Sequence, residues 1–298
     1  MQSIFIGWLT TTLMLMNTVT GMIPLTFMAV LKAIVPIPVF RRFCSAVIVW
    51  IAESWAEMCK RIFSFTTSTR WDVRGVEKLN PKQSYMIVSN HQSWVDIPAL
   101  IQALNRKIPY FKFFLKRELI WVPLLGLAWW ALDYPFMQRH SKSYLKKHPE
   151  RKGADFAATK ASCEKFKGTP VSLMNFLEGT RYTSEKSERQ SSPYRYLLKP
   201  KSGGVAYAVQ LMDGQIRHVL DVTVVYPGKE VPGFWELVSG QVGMVVIDVK
   251  QRELDADLLQ GNFEDDPEYR KRFQSWAARL WEEKDHTVQR ILAEHADA

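Results

Sequence analysis

The chain has 298 residues, of which 47% are hydrophobic and 23% charged, and a formal net charge of +9. That length and apolar content exclude a disordered chain and are enough for one large catalytic core. The three cysteines, Cys44, Cys59 and Cys163, show no metal-ligand spacing, and no Gly-rich phosphate loop is present. Zinc modules, disulfide scaffolds and P-loop enzymes are therefore set aside, and a reducing compartment is expected for the catalytic part.

Residues 1–31 carry no charged side chain, a run long enough to cross a bilayer core of about 20 apolar residues. Gly21 and Pro24 are expected to kink or break it. That leaves two geometries: a tilted spanning helix, or a helix that enters one leaflet and turns back. Lys32, Arg41 and Arg42 follow the run and, if it spans, place the next segment on the cytoplasmic side. A second apolar helix is expected over 43–65. Its Glu53, Glu57, Lys60 and Arg61 make it interfacial, or packed on the first helix, rather than spanning.

From Trp71 the pattern becomes soluble α/β. Ser84–Val88 predicts a strand that runs into the polar loop Ser89-Asn90-His91-Gln92-Ser93, and a helix follows with Ile97, Leu100, Ile101 and Leu104 on one face. Strands are expected at 108–115 and 134–138. Between them lies a third apolar block, 119–132, with Trp121, Trp129 and Trp130. It fits either the wall of a site for an apolar chain or an ordinary core helix, and its tryptophans suit the headgroup zone. A helix is predicted over 152–167, a buried strand over 171–177, a mobile polar loop over 182–197 and a helix over 204–212. Strands follow at 218–226 and 242–249. Asp266, Pro267 and Glu268 then give an N-cap, a proline at the first helical position and an acid in the first turn of a C-terminal helix. Strands alternating with helices predict an α/β mixed sheet flanked by helices, behind a hydrophobic helical membrane anchor. The expected division is 1–65 for the membrane-associated helices and 66–298 for the α/β domain with its C-terminal helix.

The charge is concentrated in one place. From Arg139 to Lys201 there are fifteen Lys and Arg against six Asp and Glu, so this segment holds a surplus equal to the net charge of the whole chain. It reads as a solvated face or an anion-binding surface. The aromatics cluster in apolar segments rather than among these cations, so no nucleic-acid partner is expected.

Two constellations carry chemistry. His91 and Asp96 are five apart and would point about 140° away from each other on a regular helix. They meet if His91 lies in the turn and Asp96 opens the helix. The carboxylate then fixes the imidazole tautomer and leaves the other ring nitrogen as a base; alternatively the two side chains merely satisfy one another. The second constellation is Phe176-Leu177-Glu178-Gly179-Thr180-Arg181 at the end of a buried strand. Here Gly179 permits a turn, Arg181 suits a phosphate, and Glu178 suits a ligand hydroxyl or an arginine. A structural turn with a surface ion pair is the alternative.

In order, Asn90 to Asp96, then Lys116, Glu118, Leu119, Pro123 and Gly126, then Arg139, then Glu178 to Arg181 resemble the motif blocks of the phospholipid and glycerolipid acyltransferase family. The resemblance covers roughly residues 70–230 and the hydrophobic N-terminus. It implies a glycerolipid acyltransferase-like fold and transfer of a fatty acyl group from acyl-CoA or acyl carrier protein to the sn-2 hydroxyl of 1-acyl-sn-glycerol 3-phosphate, with no cofactor and no metal. It further implies His91 as general base with Asp96 as its partner. Asn90, Lys116, Arg139, Glu178, Gly179, Thr180 and Arg181 would lie on the acceptor side. The implied partners are the phospholipid bilayer, a lysophospholipid and the acyl donor, and the implied location is a bacterial inner membrane with catalysis on the cytoplasmic side. Leu177 replaces a common proline. Leu198-Lys199-Pro200-Lys201 and Asp221 to Pro227 look more like the lysocardiolipin and lysophosphatidylinositol branch, which leaves those acceptors and lysophosphatidylglycerol as alternatives. A non-catalytic anionic-lipid binder is the reading from another class.

Overall fold

The computed structural model describes residues 1–137, 160, 163–166, 168–228, 230–263 and 265–296. Its centre is a six-stranded sheet in the order β1 (Arg70–Arg74), β8 (Met244–Glu253), β7 (His218–Val225), β2 (Tyr85–Ser89), β6 (Ser172–Phe176) and β3 (Phe111–Phe113). Every neighbouring pair is parallel except β7 and β8. The expected mixed sheet is therefore present. All five residues of β2 are buried, as a central strand covered on both faces requires.

Eight α-helices occur among the described residues. They are α1 (Gln2–Ile34), α2 (Pro38–Thr66), α3 (Asp96–Leu104), α4 (Leu125–Ala131), α5 (Ser184–Gln190), α6 (Gly203–Leu211), α7 (Phe234–Val238) and α8 (Pro267–Glu294). One sheet face packs on α6 and α8 through Val205, Val209, Phe273 and Leu280. The other packs on α3 and the end of α2 through Ala99, Leu100 and Phe63. Asp266 caps α8 as expected, accepting from the N–H groups of Glu268 at 2.9 Å and Tyr269 at 3.0 Å.

Several expectations change. The strand expected at 108–115 divides into β3 and β4 (Leu115–Lys116), and β4 pairs with β5 (Phe136–Met137) in a separate two-stranded sheet. The loop expected over 182–197 contains α5, because the Thr183 hydroxyl accepts from the Lys186 N–H and nucleates a first turn. Most of the helix expected over 152–167, and Gln138, lie outside the described residues; Glu164–Phe166 form a 3₁₀ turn.

Helix α1 runs unbroken through Gly21 and Pro24 for 33 residues, about 50 Å. Among the described residues it is the one helix long and apolar enough to cross a membrane, and most of its large side chains are exposed. Both of its ends are docked on the α/β domain. A Cβ at Gly7 would lie 2.8 Å from Trp235 of α7, and the rings of Trp8 and Trp235 meet edge-on at 6.1 Å. At the other end Lys32 pairs with Asp133 at 2.5 Å and donates to the Ala131 carbonyl.

Candidate active site

The two motifs lie 87 residues apart, and sheet register brings them together. Ser89 at the end of β2 sits opposite Phe176 at the end of β6, and the strands are parallel, so both chains leave the sheet at the same edge. On its other side β2 sets Ser89 opposite Val222 of β7. Ligand sites of open α/β sheets form at such carboxyl ends, where neighbouring strands diverge.

His91 lies in the turn after β2 and Asp96 opens α3. The His91 Nδ1 is 2.7 Å from Asp96 Oδ2. That oxygen also accepts from the N–H groups of Gln92 at 2.8 Å and Ser93 at 3.0 Å, while Tyr226 donates its hydroxyl to Oδ1. An ionised carboxylate only accepts, so Nδ1 carries the proton and Nε2 is left as the basic nitrogen. The imidazole stacks on the Phe176 ring with centroids 3.9 Å apart and planes 12° from parallel. Asp96 is fully buried, whereas the His91 side chain keeps 17% exposure toward the cavity it lines. The carboxylate, the two backbone donors, the tyrosine and the stacking ring together fix the histidine in one orientation.

Asn90 and Glu178, expected on the acceptor side, both hydrogen-bond to backbone groups. Both are fully buried. The Asn90 side chain donates to the Val224 carbonyl at 2.8 Å and accepts the Val224 N–H at 2.9 Å, stitching the turn to β7. Glu178 accepts the N–H of His91 at 3.1 Å and of Leu198 at 3.0 Å, bracing the two motif turns against each other. Neither lines the cavity. Their polar atoms satisfy backbone groups that leave the sheet unpaired.

Burial pushes the Glu178 carboxyl up to about 7, with Asp96 adding to the rise and the two backbone N–H donors and Lys284 opposing it. The folded state therefore holds a proton that the unfolded chain releases near 4.5. The stability this one group contributes is full below that pH and is lost as the pH rises toward 7, where the folded carboxyl also ionises. Denaturant titrations across this window should show the decline in the wild type and a flatter profile in Glu178→Gln. An equal slope in both would assign the decline to other groups.

His91 opens onto a cavity of about 1020 Å³ that also takes in Trp94, Phe113, Gly179, Thr180, Arg181 and Lys201. Arg181, Lys201 and Arg270 reach this wall, and among the described residues no carboxylate does. Arg181 stands 4.8 Å from the Trp94 ring centre. Gly179 has φ +68°, a left-handed conformation that the turn requires and that favours glycine, and it lies beside the Lys201 side chain. The Thr180 hydroxyl accepts from Lys186 at 3.0 Å. Lys116 is exposed on β4 and does not line the cavity, and Arg139 lies outside the described residues. Trp94 is shared with a second, almost wholly apolar cavity of about 580 Å³ between α1, α2, α3 and α7, walled by Met14, Trp55, Phe63, Ile101 and Phe234.

Three further residues of the site have no role assigned to them by the sequence. Phe176 and Tyr226 look like ordinary strand apolars until register places them beside the dyad. Lys201 stands in the Leu198–Lys201 stretch that carries the branch resemblance, where nothing singles it out for the cavity.

A buried aspartate orienting a histidine beside a cavity lined by Arg181, Lys201 and Arg270 is of a class that can activate a hydroxyl held near an anion. Comparison with known proteins gives this class a family: the profile described as Acyltransferase matches residues 70–227, and the chain belongs to that family. It is similar to 1-acyl-sn-glycerol-3-phosphate acyltransferase gamma of Mus musculus, 25% identical over 80% of this chain and 59% of that one. It is also similar to 2-acyl-1-lysophosphatidylinositol acyltransferase of Saccharomyces cerevisiae, 23% identical over 71% of this chain and 62% of that one. The chain thus spans about 60% of the length of these curated relatives. The crystal structure of the 1-acyl-sn-glycerophosphate (LPA) acyltransferase PlsC from Thermotoga maritima shares the fold, with TM-score 0.56 and 19% identity, covering 100% of this chain and 99% of that one.

Proposed function

We propose that the protein is a membrane-associated O-acyltransferase that moves a fatty acyl group from acyl-CoA or acyl carrier protein to the sn-2 hydroxyl of 1-acyl-sn-glycerol 3-phosphate. The observation that carries this reading is the His91–Asp96 dyad on a cation-lined cavity that shares Trp94 with an apolar cavity. An amphiphile with an anionic head and a long apolar chain matches that pairing.

In this mechanism His91 Nε2 takes the proton of the acceptor hydroxyl, and the oxygen attacks the thioester carbonyl. Asp96 stabilises the imidazolium that forms. The tetrahedral oxyanion collapses, the carbon–sulfur bond breaks, and the thiolate leaves with the proton from His91. Arg181 and Lys201 hold the acceptor phosphate, and Asn90 and Glu178 keep the two turns in register.

Membrane attachment follows from the apolar outer face of α1. The docked points Gly7 and Lys32 are about 38 Å apart along the helix, more than the roughly 30 Å of a bilayer core. A spanning α1 would need one domain to touch both membrane surfaces, so the supported geometry is a helix lying in one leaflet. The proposed location is the cytoplasmic leaflet of a bacterial inner membrane.

The test is transfer from a labelled acyl thioester to a panel of lysophospholipids and to monoacylglycerol. Lysophosphatidate should be preferred at least tenfold in kcat/KM over monoacylglycerol, which lacks the phosphate. Equal use of both would remove the anion site from the account. Preference for lysophosphatidylinositol would move the protein to the acceptor named for its yeast relative.

A further inference from the structure

Residues 117–131 form a short hairpin, a 3₁₀ turn (Arg117–Trp121) followed by α4, that neither cavity uses. Five of its large apolar side chains face outward: Trp121 is 85% exposed, and Leu124, Leu125, Leu127 and Trp130 are exposed as well. A soluble surface rarely gathers so many large apolar groups without a partner.

The tip has a fixed shape. Leu124 adopts φ +63° and ψ −54°, and the Leu125 N–H donates to the Pro123 carbonyl at 2.7 Å, a tight three-residue turn that a non-glycine residue seldom accepts. A Cβ at Gly126 would lie 2.0 Å from the Ile120 carbonyl oxygen, so the two limbs close on each other only at a glycine. The base is held firmly. Ala131 and Leu132 are buried with Leu25, Ala29 and Ile48, and Asp133 pairs with Lys32. The hairpin thus projects beside the C-terminal half of α1, where Ile23, Phe27, Val30 and Ile34 are also exposed.

We propose that this hairpin is a second membrane-contacting element, whose Trp121 and Leu124 enter the same lipid leaflet as α1. The inference rests on the membrane reading above and extends it to residues of the α/β domain. The occupant is a lipid surface because the patch is continuous with the apolar face of α1. Its two tryptophans suit the interfacial zone, and Lys116 and Arg117, both exposed at its start, match anionic headgroups. With α1 and the hairpin both in the leaflet, the domain would be held in one orientation on it.

The experiment places a nitroxide label at Trp121→Cys, at Phe27→Cys on α1 and at Lys271→Cys on the exposed face of α8, in full-length protein bound to phosphatidylcholine–phosphatidylglycerol vesicles. The native cysteines are buried. Collision with oxygen against a water-soluble nickel chelate gives the depth of each label. The expected result is lipid depth at 27 and 121 and aqueous exposure at 271. In addition, Trp121→Ser combined with Leu124→Ser should weaken vesicle binding roughly tenfold or more, with transfer to micellar acceptor retained. Lipid depth at 27 with aqueous exposure at 121 would overturn the hairpin proposal and leave the membrane reading intact. Aqueous exposure at both would remove the membrane reading as well. Spin–spin broadening between copies at 121 would overturn the proposal in favour of a contact between two chains.

Discussion

Asp96→Asn should leave the chain folded and lower turnover by two to four orders of magnitude. An asparagine oxygen in the Oδ2 position can still accept from His91, Gln92 and Ser93, and its amide can face the Tyr226 hydroxyl, which then accepts in place of donating. The frame survives and the charge does not, so the loss reads the electrostatic support for the imidazolium. Tyr226→Phe tests the same point more gently. It removes one donor from the far oxygen and should reduce kcat less while shifting the pH profile of the base. A loss of less than tenfold in Asp96→Asn, with unfolding midpoints matching the wild type, would mean that Asp96 only holds the turn.

The largest expected loss of stability lies behind the sheet. Lys284 on α8 is fully buried, pairs with Asp221 at 2.5 Å and donates to the Val222 carbonyl at 2.6 Å and the Thr223 hydroxyl at 3.1 Å. Burial lowers its pKa, opposed by the charge of Asp221. Lys284→Met fills much of the space but leaves a buried carboxylate held, among the described residues, by Arg252 at 3.2 Å. The expected cost is about 3 kcal/mol, at the lower end of what breaking a buried pair removes, because that second partner remains. Denaturant unfolding of the variant should show it, and adding Asp221→Leu should recover part by removing the stranded charge. A change below about 0.5 kcal/mol would show that the pair is neutral, as some buried pairs are.

The sequence made parts of this architecture plain. The alternation of buried strands with helices, the Asp266–Pro267 start of α8 and the long apolar α1 follow from local periodicity and capping, and the structure has them. The His91–Asp96 geometry was also within reach, since a turn followed by a helix start is the arrangement that lets residues five apart meet. Asn90 and Glu178 show what motif spacing leaves out. Polar side chains in a motif look like ligand contacts, but these two satisfy backbone groups of strand ends whose partners are set by register, and register is a tertiary property. Tyr226 and Phe176 were hidden for the same reason. The exposure of the 117–131 hairpin was not legible either, because an apolar run reads the same whether it faces a core or a bilayer.

The central claim is hydroxyl acylation by a histidine base, and its most direct test is acyl transfer by purified wild type and His91→Ala, with labelled acyl thioester and lysophosphatidate in mixed micelles. The account predicts acceptor-dependent formation of labelled phosphatidate in the wild type. In His91→Ala the rate should fall by at least a hundredfold, with lysophosphatidate still bound. Phosphatidate made by the alanine variant at a rate near the wild type, or label released as free fatty acid without need of an acceptor, would contradict it.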